Sequence, residues 1–164
     1  MAQEIEHKYL VKNQDYKNLA IDKIYIKQGY LSRDPERTVR VRLWDNDGYI
    51  TIKGKNQGDS RAEYEYKIPY QDAEKLLELC VPPVIEKRRY IIPFGGHNWE
   101  VDEFLGALAP LVLAEIELSS SDEKYDLPDF IGENVTNDPR YYNSNLGKTR
   151  ARSLNFWGRR GGYF

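Results

Sequence analysis

The chain has 164 residues, 30% of them charged and 40% hydrophobic, a composition suited to one soluble globular domain with a sizeable core. Its 24 basic and 26 acidic residues leave a formal net charge of -2, which supplies no general attraction to nucleic acid or to an acidic membrane surface. Thirteen Tyr, three Trp and five Phe argue against disorder, the single cysteine excludes an internal disulfide, and no apolar run approaches the ~20 residues that a membrane-spanning helix needs.

Residues 1–4 lack a basic region followed by an apolar one, so no secretory signal is expected and a cytoplasmic, bacterial-type protein fits. In chain order, two-residue alternation prevails over helical periodicity. Residues 3–11 set Glu4, Glu6 and Lys8 on one face and Ile5, His7, Tyr9 and Val11 on the other. Strands follow at 24–32 and 37–44 around a turn at 33–36, the second with Arg40 and Arg42 opposite Val39, Val41 and Leu43. Asn46-Asp47-Gly48 reads as a hairpin turn in which Gly supplies a positive φ. The strand at 49–55 sets Thr51, Lys53 and Lys55 against Ile50 and Ile52, and 61–68 puts Arg61, Glu63 and Glu65 on one face.

The period then changes. Ala73, Leu76, Leu77 and Cys80 have helical spacing, which predicts a helix over 71–79 that ends before Pro82-Pro83 and buries Cys80 as an inert thiol. Strands resume at 84–93 and 97–104 around a Gly95-Gly96 turn, and 111–118 carries Glu115 and Glu117 opposite Ala114, Ile116 and Leu118. Short helical turns are expected at 128–132 and 138–142, and a solvated helix and loose tail in the basic stretch with Lys148, Arg150, Arg152, Arg159 and Arg160. Without repeats or linkers, the chain reads as a single domain over 1–157 with a flexible tail at 158–164. Eight strands in mostly short succession predict a mainly β (α+β) fold, a closed eight-stranded antiparallel barrel with a few helices packed outside.

One face of the strands collects both signs of charge. A half-exposed sheet with a solvated polar face gives the same alternation. What that reading leaves unexplained is the doubling: Glu-x-Glu at 4/6, 63/65 and 115/117, Arg-x-Arg at 40/42 and Lys-x-Arg at 87/89. Like charges so placed repel, so sheet stability does not favour them. A bound ligand reverses the argument, because paired carboxylates suit hard divalent cations and paired cations suit phosphoryl oxygens.

Glu4-Ile5-Glu6-His7-Lys8 resembles the Glu-x-Glu-x-Lys opening of the CYTH family, the triphosphate tunnel metalloenzymes. Arg40-Val41-Arg42, Ile52-Lys53-Gly54, Arg61-Ala62-Glu63-Tyr64-Glu65, Lys87-Arg88-Arg89-Tyr90, Val101-Asp102-Glu103-Phe104 and Ala114-Glu115-Ile116-Glu117-Leu118 continue the likeness in the family's order, as do 132–136 and 141–146. His7 departs from the Arg often found there and points to the other face, as a structural residue. The resemblance covers about residues 3–147 and implies a charged barrel tunnel with an essential divalent metal, Mg²⁺ or Mn²⁺.

It also implies roles. Lys8, Arg40, Arg42, Lys53, Lys87 and Arg89 would bind the substrate, and Glu4, Glu6, Asp102, Glu115 and Glu117 the metal. Lys8, Glu63 and Glu65 form the expected catalytic set, with the two glutamates orienting basic groups or water. The expected reaction is hydrolysis of inorganic triphosphate to pyrophosphate and phosphate, without nucleic acid or membrane partners, by a monomer or homodimer. The alternatives are an adenylyl cyclase or a nucleoside or thiamine triphosphatase in the same tunnel, and a non-catalytic polyphosphate-binding module. An organic triphosphate needs an aromatic or hydrogen-bonding platform at a mouth, for which Tyr25, Tyr30, Trp44 and Tyr49 are the candidates.

Overall fold

The alternating segments form nine strands in a computed structural model of the chain, which describes residues 3–146. They are β1 (Gln3–Val11), β2 (Asp22–Ser32), β3 (Arg37–Trp44), β4 (Asp47–Gly54), β5 (Ser60–Ile68), β6 (Val81–Phe94), β7 (His97–Phe104), β8 (Val112–Glu117) and β9 (Ile131–Asn134). Helix α1 (Tyr16–Leu19) follows β1, α2 (Tyr70–Glu78) bridges β5 and β6, and α3 (Asn143–Leu146) follows β9. Short 3-10 turns occupy Gly106–Leu108 and Pro139–Tyr141. The expected tail at 158–164 and the basic residues from Lys148 onward lie outside the described residues. Among the described residues no helix is long and apolar enough to cross a membrane.

The strands pair antiparallel in the order β5-β4-β3-β2-β6-β7-β8-β1, and a β5–β1 pairing closes the ring. Closure is short, with Gln3, Glu4 and Ile5 opposite Ala62, Arg61 and Ser60. The upper edge of β1 is therefore left to a ninth strand, and β9 takes it through Tyr9↔Asn134 and Val11↔Ile131. That corrects the helical turn expected at 128–132: Ile131 donates back to Pro128 as a turn would, and then enters a strand. An open ladder edge and a buried Ile131 side chain outweigh the local turn signal.

The barrel is apolar outside and charged within. One outer cluster joins Tyr9, Trp99, Val101, Ala114 and Ile116 beneath α1 and the segment that carries Phe130 and Ile131. Another packs Val41 and Leu43 against Ala73, Leu77 and Cys80 of α2 and the turn after it, and burial pushes the Cys80 thiol up, as suits an unreactive sulfur. A third lies at one end of the inner face, where Leu10, Ile85, Phe104 and Leu113 meet Tyr141 and Leu146. Alternation places these four with Lys8, Lys87, Asp102 and Glu115, so the charged lining fills only part of the barrel's length. Each fully buried large apolar side chain contributes roughly 1.5–3 kcal/mol, and these three clusters are where the fold draws its stability.

The β3–β4 turn differs from the sequence reading. Trp44 pairs with Asp47, so the two-residue loop is Asp45-Asn46, and Asp45 rather than Gly48 holds the positive φ, at 51°. Gly48 lies in β4, where a Cβ would come within 2.8 Å of Ala73 Cβ. The glycine serves the close approach of α2 to the sheet. At the other expected glycine turn, Gly95 and Gly96 both have positive φ, 60° and 81°.

Gly48→Val should therefore destabilise the protein by about 1–3 kcal/mol through overpacking against α2. Chemical denaturation reads this directly, and wild-type stability in the variant would refute the packing role.

Candidate active site

The inward positions of neighbouring strands bring the doubled charges to one place. Going round the barrel, β1 sets Glu6 opposite Glu117 and Lys8 opposite Glu115 on β8. β7 sets Glu100 opposite Glu115, and β6 sets Arg89 opposite Asp102. Thr38 lies opposite Lys53, Lys53 opposite Glu63, and Arg61 opposite Glu4, which completes the ring through β3, β4, β5 and β1. The cavity so lined has a volume of about 180 Å³, and seven carboxylates (Glu4, Glu6, Glu63, Glu65, Glu100, Glu115, Glu117) face four cations (Arg40, Arg42, Lys53, Arg89) across it. A second opening shares Glu4, Glu6, Lys53 and Asn143 and adds Lys8, Tyr30, Arg61 and Thr136.

The acids divide into those already matched by cations and those that are not. Lys53 Nζ donates to both oxygens of Glu4 at 2.7 and 3.0 Å and lies 3.6 Å from Glu63. Burial raises the Glu4 carboxyl, but Lys53 outweighs it and leaves the group below its usual range. Arg89 grips Asp102 in a two-pronged pair at 2.8 and 2.9 Å, and Lys87 Nζ stands 2.7 Å from the same carboxylate. Burial of Asp102 is more than offset by these two cations, which hold it well below the usual carboxylate range. Glu115 is likewise held down, to about 2, where Lys8, a hydrogen bond from Glu6 and Arg89 together overcome burial.

Glu6 and Glu117 make no ion pair among the described residues. Burial, Glu115 and Glu4 push the Glu6 carboxyl well above its ordinary value, and burial, Glu4 and Glu100 raise Glu117. Burial and Glu4 raise Glu63 in the same way. These carboxylates have hard oxygen donors and too little positive charge around them, which is the chemistry a divalent cation answers. No three of the described His, Cys, Asp or Glu side chains converge in metal-ligating geometry; Glu4, Glu6, Glu115 and Glu117 line the same cavity and are the oxygen donors that could turn toward an ion there.

The cations show the complementary deficit. Arg42 is buried, makes no ion pair among the described residues, and is pushed down by burial, Arg40 and Arg89. A guanidinium does not lose its proton in a protein, so this strain awaits an anion. Arg40 lies 3.8 Å from Glu65, which also accepts from Thr51. Lys8 Nζ donates to the carbonyl of Tyr141 at 2.9 Å. Lys87 is fully buried behind Arg89, where burial outweighs Asp102 and brings it down to about 7.

Of the sequence candidates, then, all but Lys87 and Asp102 reach the two connected spaces. Those two stand behind them. Lys55 is exposed outside β4, and His7 faces outward with its ring nitrogens 2.6 Å from Tyr125 and 2.8 Å from Asp59. Of the candidate aromatic platforms, Trp44 lines this cavity and Tyr30 the second opening. Two contributors were missed: Glu100, which shares the face of Asp102 by simple alternation, and Asn143, which comes from α3 and carries no such signal. Both Arg42 and Arg89 lie over the Trp44 ring, at 5.4 and 5.3 Å.

Comparison with known proteins agrees with this geometry. The model of the CYTH domain matches residues 2–150. An inorganic triphosphatase of Acetivibrio thermocellus is 52% identical over 155 residues, covering 94% of this chain and 99% of that protein. An inorganic triphosphatase of Nitrosomonas europaea is 34% identical over 148 residues, covering 87% and 95%. A crystal structure of an inorganic triphosphatase superimposes with a TM-score of 0.63 at 32% identity, over 89% of this chain and 98% of that one. With a barrel of this topology, a lining of this charge pattern and relatives of matching length, the chain belongs to the CYTH domain family.

Proposed function

We propose that this chain hydrolyses inorganic triphosphate to pyrophosphate and phosphate, using Mg²⁺ or Mn²⁺ held by Glu4, Glu6, Glu115 and Glu117. The observation that carries the reading is the coexistence, around one cavity, of a buried Arg42 with Glu6 and Glu117, none of which makes an ion pair among the described residues. An anion satisfies the first and a cation the others. The relatives of similar length, both inorganic triphosphatases, support the same reaction.

Arg40, Arg42 and Arg89 bind phosphoryl oxygens, replacing lost hydration with fixed charge. Asp102 is better read as a positioning carboxylate than as a metal ligand, because both its oxygens are taken by Arg89 and Lys87. Glu65 and Glu63 stand beside Arg40 and Lys53, where they steer those cations, and Lys8 fixes the far end of the site. A bound divalent ion supplies charge neutralisation at the phosphoryl group and acidifies water. Water attacks a terminal phosphorus as the bridging P–O bond breaks, pyrophosphate leaves, and the proton passes to solvent or a lining carboxylate; positioning and electrostatics provide the rate. Trp44, the aromatic group at this mouth, is engaged by two guanidinium groups, which favours a bare triphosphate over one with a base to stack. A cytoplasmic location and a monomeric or homodimeric state complete the reading.

Phosphate release from tripolyphosphate, ATP and pyrophosphate with Mg²⁺ and Mn²⁺ tests the reaction. Turnover of tripolyphosphate is expected to exceed that of ATP by at least about tenfold, roughly what one lost binding contact is worth; ATP preferred over tripolyphosphate, or cyclic AMP formed, would sink the assignment.

The Glu6 carboxyl is raised in the folded state, so the fold grips that proton more tightly than the unfolded chain does. The associated stability is present below the ordinary value of 4.5 and is lost as pH rises through the raised one. Glu6→Gln should therefore melt no lower than wild type, and up to a few degrees higher, at pH 8 without metal. Its Mg²⁺-induced stabilisation and its turnover should both collapse. Retention of both would remove Glu6 from the metal set.

Lys87 has the opposite sense. Its folded value near 7 lies under the ordinary 10.5, so stability from this group rises with pH between the two. A polyanion beside it restores the proton. Calorimetry at pH 8 in buffers of different ionisation enthalpy should show wild type taking up close to one proton more than Lys87→Met on binding tripolyphosphate. Equal uptake would place the anion away from Lys87.

A further inference from the structure

On β2 the inner-face positions are Ile24, Ile26, Gln28 and Tyr30, paired with Trp44, Arg42 and Arg40 on one side and Arg89, Lys87 and Ile85 on the other. Three of the four are apolar or aromatic. Gln28 is the exception, and it is fully buried, with neither carboxamide nitrogen nor oxygen partnered. Its direct cross-strand partner is Arg42, whose Nε is also buried without a hydrogen-bond partner. Its other direct partner, Ile85, belongs to the apolar cluster that fills the far end of the barrel.

Packing does not account for this residue. A buried amide that makes no hydrogen bond costs roughly 1–3 kcal/mol, and an apolar side chain of similar shape between Ile26 and Ile85 would avoid that cost. Directly opposed side chains on one face of an antiparallel pair have Cβ atoms ~4.5–5.5 Å apart, so Gln28 is an immediate inner-face neighbour of Arg42, set just behind the cavity lining to which Arg42 belongs. On its β6 side the residue meets the apolar end at Ile85, and on its β3 side the charged lining at Arg42.

We propose that Gln28 is a substrate-binding residue, its amide N–H donating to the phosphoryl group that Arg42 holds, and that the fold keeps it there at a cost to its own stability. The inference rests on the triphosphatase reading and names a contact within that site. A neutral donor suits the position. It offers a donor without adding a further cation beside Arg42 and Lys87, which burial and the neighbouring guanidinium groups already push down.

The test uses the full chain carrying Gln28→Met, close to glutamine in shape, and Gln28→Leu as a second apolar replacement. Both are compared with wild type by thermal unfolding with and without tripolyphosphate and Mg²⁺, and by steady-state kinetics. Without ligand, at least one variant should melt at or above the wild-type temperature. With ligand, its tripolyphosphate-induced shift should shrink and KM rise roughly tenfold, the scale of one hydrogen bond to a charged group. A lower melting temperature in both variants with unchanged KM would assign Gln28 to structure and overturn the inference. So would ligand-induced shifts equal to wild type. Wild-type protein that tripolyphosphate neither stabilises nor serves as a substrate would overturn the triphosphatase reading, and this inference with it.

Discussion

The barrel's chemistry rests on repulsion between like charges that the fold encloses together. Seven carboxylates and four cations face a single cavity, and the pairs Glu6–Glu117 and Glu100–Glu115 sit directly opposite one another across strand pairings. Arrangements of this kind weaken a sheet. They persist because the stability lies elsewhere, in the outer clusters around Trp99 and beneath α2 and in the apolar end around Leu10 and Phe104. An ordinary sandwich places its best packing between sheets and its charges in water. Here the sheet curls the other way, and ring closure through β5 and β1 gathers the charged face around one cavity.

This inversion explains what the sequence made legible. Strict alternation identifies the strands because one face of each is committed to apolar packing, and a one-residue slip would expose that face. It cannot say which end of the inner face turns apolar, since Leu10 and Lys8 occupy equivalent positions in the pattern. The doubled charges marked the site for a different reason: repulsion without a compensating partner needs a ligand. Glu100 was equally readable from Trp99-Glu100-Val101-Asp102, where it makes a further acidic pair with Asp102 on one face of the strand. Gln28 was not readable at all, because a single polar residue in an apolar strand stands out only once its burial and lack of partners are known. Glycine misled for a related reason. Gly48 beside Asn46 and Asp47 mimics turn chemistry, while its actual constraint, contact with Ala73, comes from a helix more than twenty residues away.

The carboxylates illustrate how environment assigns different work to the same group. Asp102 is surrounded by Arg89 and Lys87 and is held ionised, so it orients two cations without needing a metal. Glu6, across the cavity wall, faces Glu4 and Glu115 and is driven toward its neutral form. Sequence places both in one list of acids on inward positions. The structure separates them by what lies beside them, and it is the second kind that has affinity to offer an incoming cation.

On the proposed reading, metal and polyanion bind as partners. A triphosphate entering alone meets more carboxylates than cations, and a divalent ion entering alone meets Arg40, Arg42 and Arg89 without their counter-charge. Each lowers the electrostatic cost of the other, and linkage makes that coupling reciprocal. The consequence is selectivity at the level of charge density. On the same reading a compact triphosphate carries enough charge to engage Arg40, Arg42 and Arg89 together, where a monophosphate would engage fewer of them and leave more of the acids unbalanced.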